Sequence, residues 1–153
     1  MQPCCDSTPE LGATDAGTLQ TASAMPRHIE SYDEFCRVAL SLVRFIGAAY
    51  ATGASDCWEA AHRYADEAPG VADSPLIVAR AAALVRLLRG RPCETCFMPP
   101  SCKRLSNDEA ELMRLLAMAR SQRPGELETV ACQFVGGEGG VAAARAVDAL
   151  ARC

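Results

Sequence analysis

Residues 91–104 read RPCETCFMPPSCKR and carry Cys93, Cys96 and Cys102 in the spacing C-x2-C-x5-C. The two-residue gap lets the first two thiolates turn onto one ion. A third cysteine on the same stretch leaves one ligand missing for tetrahedral zinc or for a four-iron cluster. Arg91, Lys103 and Arg104 flank the motif, where positive charge favours thiolate over thiol and offsets the charge of a loaded site. Pro92, Pro99 and Pro100 stiffen the stretch and reduce the entropy lost on binding. Candidates for the missing ligand are Cys57, Cys132, Cys36 and His62. Cys57 is preferred, because an expected helix N-terminus there favours a thiolate, although Asp56 and Glu59 oppose it. The expected metal set is therefore Cys93, Cys96, Cys102 and Cys57, holding zinc or an iron–sulfur cluster.

Competing chemistries find less support. A thioredoxin-like reading of CETC needs a strand leading into a helix, whereas Cys93 follows Arg-Pro and the motif runs into Pro-Pro. The run GGEGG at 136–140 lacks the Lys-Ser/Thr pair of a phosphate loop and places Glu138 where an anion would sit. With only His28 and His62 available, no nucleophile–base set is legible. The plain alternative is that the loop cysteines act as small apolar residues.

The segment CETCFMPPSC resembles the C-x2-C-x5-C tail of iron–sulfur recombination nucleases, including the aromatic Phe97 after the second cysteine. That family holds a four-iron cluster with a fourth cysteine from far upstream, so the resemblance implies a cluster or metal loop. It implies nothing catalytic, since the only lysine, Lys103, follows Ser101 and Cys102 and no acid-x-lysine strand exists. DNA-glycosylase cluster loops share the spacing but need a cysteine seven positions before the first, where this chain has Arg86. Residues 98–116, MPPSCKRLSNDEAELMRLL, resemble small uncharacterised helical proteins of bacteria with high-GC genomes, a likeness that carries no function.

Elements must position such a loop, and the helical period supplies them. Ser31 to Glu34 reads as a capping box, followed by Phe35, Val38, Ala39, Leu42, Phe45, Ile46 and Ala49 on one face. Glu34, Arg37, Ser41 and Arg44 fall on the other. A second helix starts with Asp56 as cap and turns Trp58, Ala61, His62 and Ala65 inward. A third has Ser74 as cap and Pro75 at its first position, with Gly90 closing it. Ser106 and Glu109 form a second capping box before Leu112, Leu115 and Leu116. Two shorter helices follow, around 127–134 and from about 141. No stretch alternates apolar and polar residues, so no strand is expected. The fold class is all-α: a compact bundle of five to six helices at 29–153, after a disordered tail at 1–28 rich in Ser, Thr, Gly, Pro and Ala.

Bulk properties narrow the function. The 153 residues are 50% apolar and 22% charged, ordinary for a globular domain. Residues 74–105 hold six bases against Glu94 alone, whereas residues 1–73 hold eleven acids and four bases. Such a basic stretch could attract an acidic protein partner, but nucleic acid is not expected without interleaved aromatics. The longest apolar run, 38–51, is broken by Arg44 and is too short for a bilayer, so no membrane partner is expected. The N-terminus has no basic leader before an apolar stretch, which points to the cytoplasm. There, nine cysteines would stay reduced. The expected function is a non-catalytic accessory, sensor or binding protein using the cysteine loop. The alternatives are a metal-free interaction module with an Arg-rich surface, or a thiol redox enzyme.

Overall fold

The computed structural model describes residues 25–91, 95–122 and 124–153. It is all-α, with six helices: α1 (Glu34–Thr52), α2 (Ser55–Glu67), α3 (Ser74–Arg89), α4 (Asn107–Arg120), α5 (Pro124–Val135) and α6 (Gly140–Ala151). Short 3-10 turns precede α1 (Ile29–Ser31) and α6 (Gly137–Gly139). Among the described residues there is no strand, only one isolated antiparallel bridge between His28 and Arg104.

Helix α1 is central. It packs on α2, α3 and α4, while α6 closes the other side against α3, α4 and α5. Leu40, Leu42 and Ile46 of α1 share one core with Ile77, Leu84 and Leu88 of α3 and Leu112, Leu115 and Leu116 of α4, all essentially inaccessible to water. These branched side chains build the core that scarce aromatics cannot. The aromatics work at the edge between α1 and α2. Tyr50 meets Trp58 edge-to-face at 5.5 Å, and Phe45 lies 5.9 Å from Tyr64. By length and composition α1 is apolar enough to cross a membrane, but its apolar side chains form the centre of this core.

Three helix starts differ from the sequence reading. Asp33, not Ser31, caps α1, accepting from the amide of Cys36 at 2.8 Å, because Ser31 is used in the preceding 3-10 turn. Helix α2 starts at Ser55 after Ala54, with no side-chain cap, so Asp56 lies inside the first turn. Asp73 caps α3 through the amide of Leu76, which moves Ser74 to the first helical position and Pro75 to the second. The Ser106–Glu109 capping box forms as expected. Gly53 ends α1 at φ 72°, a conformation only glycine adopts without strain. His62, expected to face inward, is exposed.

The expected tail falls mainly on residues 1–24, outside the described residues. Residues 25–28 belong to the folded body: the amide of Leu105 donates to the carbonyl of Arg27 at 2.9 Å.

Candidate functional site

The largest departure from the sequence reading lies beneath the cysteine loop. Arg44, assigned to the outer face of α1, is 1% exposed, and Glu109 of α4 is 0% exposed. Their side chains form a bidentate pair, Nε to Oε1 at 2.7 Å and Nη2 to Oε2 at 2.9 Å. Desolvating two ions costs several kcal/mol each unless every remaining donor and acceptor is used. Here Glu109 accepts four bonds and Arg44 donates four, and those not spent on each other go to the loop. Arg44 donates from Nη1 to the carbonyl of Cys102 and from Nη2 to the carbonyl of Arg104 at 2.8 Å. Glu109 accepts from the amides of Met98 and Ser106, both at 2.9 Å. One ion pair thus satisfies four backbone groups spread over nine residues of irregular chain.

A second pair holds the start of the loop. Arg91 lies 3.6 Å from Asp108 and stacks on Phe134 at 4.4 Å. Asp108 in turn accepts from the amide of Cys96 at 2.9 Å. The Ser106 hydroxyl donates to the Cys96 carbonyl at 2.6 Å while accepting from the amide of Glu109. Asp108 and Glu109 also sit in the first turn of α4, where carboxylates suit the positive end of the helix. Finally, Phe97 lies directly over Gly47: a Cβ on that glycine would meet the ring at 2.9 Å. Gly47 and Arg44 are three residues apart on α1, so the loop lies along one helical face.

Arg44, Asp108 and Glu109 hold the loop through its backbone atoms, and the side chains of Thr95, Phe97 and Ser106 add contacts of their own. Cys96 is exposed and Cys102 half-buried. Cys93 lies outside the described residues. Cys57 is half-buried at the third residue of α2. Among the described residues no three His, Cys, Asp or Glu side chains gather closely enough to hold a metal, so Cys57, Cys96 and Cys102 are not brought together by themselves.

The other candidate ligands have structural surroundings. Cys36 is buried beside Asp33 in the first turn of α1, and burial, reinforced by that carboxylate, pushes its thiol up to about 12. Cys132 packs against Gly140, where α5 and α6 cross so closely that a Cβ would lie 2.3 Å from its sulfur.

The basic stretch is largely engaged. Arg80 donates to the carbonyl of Ala149 at 2.5 Å and to the sulfur of Cys153 at 3.3 Å. Arg89 lies over Tyr50 at 4.9 Å. Lys103 pairs with Glu30 at 2.7 Å. Arg86 and the side chain of Arg104 are exposed. Away from the loop, a cleft of about 580 Å³ is lined by Arg120, Leu127, Asp148 and Arg152 among others. Its carboxylate, Asp148, is held by Arg152 at 2.9 Å.

No protein-family model, curated protein or solved structure matches this chain.

Proposed function

We propose that this chain is a non-enzymatic binding protein whose working surface is the cysteine loop at 93–106, with a soft metal ion or iron–sulfur cluster as the ligand that Cys93, Cys96 and Cys102 would hold. One observation carries the reading: Arg44 and Glu109, the two charged residues buried among the described ones, direct their remaining hydrogen bonds at the backbone of this loop. A loop held through its backbone leaves the side chains of Cys96 and Cys102 free for a ligand, and pre-ordering lowers the entropic cost of binding. Three thiolates at about 2.3 Å from one ion would leave one coordination position for a donor outside the loop. The exposed Arg104 side chain beside the loop would offset part of the charge that three thiolates bring.

The test is metal analysis, with a visible spectrum, of full-length protein purified without oxygen. Stoichiometric zinc or iron that falls on Cys96→Ser supports the proposal. Protein that takes up neither zinc nor iron, even after reconstitution, overturns the ligand assignment. A dithiol-reductase or peroxidase activity abolished by Cys93→Ser would overturn the non-enzymatic reading.

A further inference from the structure

Among the described residues, the large apolar side chains left exposed are Leu76 (39%), Leu87 (37%) and Val141 (37%), and all three lie on α3 or at the start of α6. A single exposed leucine needs no explanation, whereas a set that shares one side of a bundle does. Leu76 and Leu87 are eleven residues apart on α3, three turns, so they lie on one helical face about 16 Å from each other. Helix α6 runs antiparallel beside that helix. Arg80 reaches the carbonyl of Ala149, near the end of α6, while Leu87 and Gly139, just before its start, line one cavity. One turn on from the Arg80 contact, Ala83 and Ala146 are half-buried, small side chains that keep the seam shallow. The cavity, of about 290 Å³, opens where the seam ends, between Arg86, Leu87 and Gly90 on one side and Val135, Gly136 and Gly139 on the other.

The same side of the molecule is charged one way. Helix α3 carries Arg80, Arg86 and Arg89 and no acid. Arg80 and Arg89 are used within the fold, on Ala149 and Tyr50. Arg86, which borders the cavity, and Arg145 of α6 are exposed, and among the described residues neither side chain has a partner. The one carboxylate of α6, Asp148, is held by Arg152. A second copy of this chain would therefore set arginine against arginine on this face, whereas an acidic partner would neutralise it.

We propose that the α3–α6 face docks an acidic amphipathic helix of a partner protein. Apolar side chains of that helix rest on Leu76 and Leu87 and enter the cavity beside Leu87, and its carboxylates pair with Arg86 and Arg145. A helix laid along α3 repeats its apolar anchors every three to four residues, so anchors three turns apart match the spacing of the two leucines. The apolar contacts supply most of the affinity, and the arginines supply selectivity for acid and speed of encounter. None of this involves the loop thiols, so the interface stands or falls independently of metal binding.

The experiment selects a phage-displayed library of helical peptides on the full-length protein and measures the selected peptides by fluorescence anisotropy at low and high salt. The enriched sequences should carry large apolar residues along one face with Asp or Glu beside them. Their affinity should fall about tenfold in Leu87→Ser or Leu76→Ser, and about tenfold in the double variant R86E/R145E. Salt should weaken binding to the unaltered protein. The four altered side chains are exposed, so melting followed by circular dichroism should be unchanged. A selection that yields no binder, or binders indifferent to all these variants, overturns the proposal. So does binding lost on Arg104→Glu instead, which would move the acid-binding surface to the loop. A homodimer that Leu87→Ser dissociates would make a second copy the occupant. Tighter peptide binding by the full chain carrying D6N/E10Q/D15N would make residues 1–24 the occupant. Either result overturns the assignment to a partner protein.

Discussion

Replacing Glu109 by glutamine tests the anchor with almost no change in shape. The carboxylate receives four hydrogen bonds, two on each oxygen: Arg44 Nε and the Met98 amide on Oε1, Arg44 Nη2 and the Ser106 amide on Oε2. An amide keeps one oxygen and turns an NH2 group toward the other two donors. Two donors are then left without an acceptor, and the Arg44 charge stays buried at 0% side-chain exposure without its counter-ion. Breaking a buried pair on one side costs about 3–5 kcal/mol, against a typical total stability of about 5–15 kcal/mol. In a domain of this size that lowers the melting temperature by roughly 10–15 °C. Urea unfolding followed by circular dichroism measures the loss, and a loss under about 1 kcal/mol would refute the reasoning. The double variant Arg44→Met, Glu109→Leu sharpens the test. A buried ion pair can often be exchanged for apolar side chains at little cost. Here the exchange would orphan the Cys102 and Arg104 carbonyls and the Met98 and Ser106 amides, at about 1–3 kcal/mol each while they stay buried. The double variant should therefore remain destabilised, or escape by undocking the loop, seen as rapid hydrogen exchange at Met98 and Ser106. A double variant as stable as the original, with those amides still protected, would show that the pair does not hold the loop.

Three further outcomes follow from close contacts and burial. Gly47→Ala places a methyl 2.9 Å from the Phe97 ring, so exchange at the Cys96 and Met98 amides should quicken while thermal stability changes little. Gly140→Ala meets backbone as well as sulfur of Cys132, at 2.4 Å from its Cα, and cannot be relieved by a rotamer change. The helices must separate, which costs about 1–3 kcal/mol in urea unfolding, partly offset by alanine's better helix propensity. Cys36, with its thiol pushed up to about 12 by burial, should stay protonated and unalkylated at pH 8 in folded protein and react only on unfolding.

The helices were legible because their apolar residues recur at the helical period over long stretches, and the Ser106–Glu109 box was legible because both partners are local in sequence. What escaped depends on contacts between distant segments. Ser31 reads as the cap of α1 by local pattern, but Asp33 takes that place. The choice falls to Asp33 because the preceding residues pair with 103–105 and draw Ser31 into a 3-10 turn, which no local pattern records. Arg44 was placed outward because its charge agrees with Glu34, Arg37 and Ser41 on a helical wheel. It is buried because the loop returns over that face. Two signals were present. Arg44 is the only charge in the apolar run 38–51, and Gly47 follows three residues later, a gap for another chain to enter.

Glu109 was read for one task and performs two. Its capping bond to the Ser106 amide occupies one lone pair of a carboxylate that has four acceptor sites, and a buried carboxylate must fill the others. Arg44 and Met98 fill them. The consequence is that the start of α4, the middle of α1 and the loop share one charge centre, so the cap of a helix and the order of a distant loop cannot be altered independently. Ser106→Ala should show this. It removes the acceptor for the Glu109 amide and the donor to the Cys96 carbonyl together, costing about 1 kcal/mol or more for the cap alone. Because Cys96 is held through Ser106 as well as Asp108, exchange at its amide should rise in the same variant, whereas a cap acting only on α4 would leave that amide as slow as before.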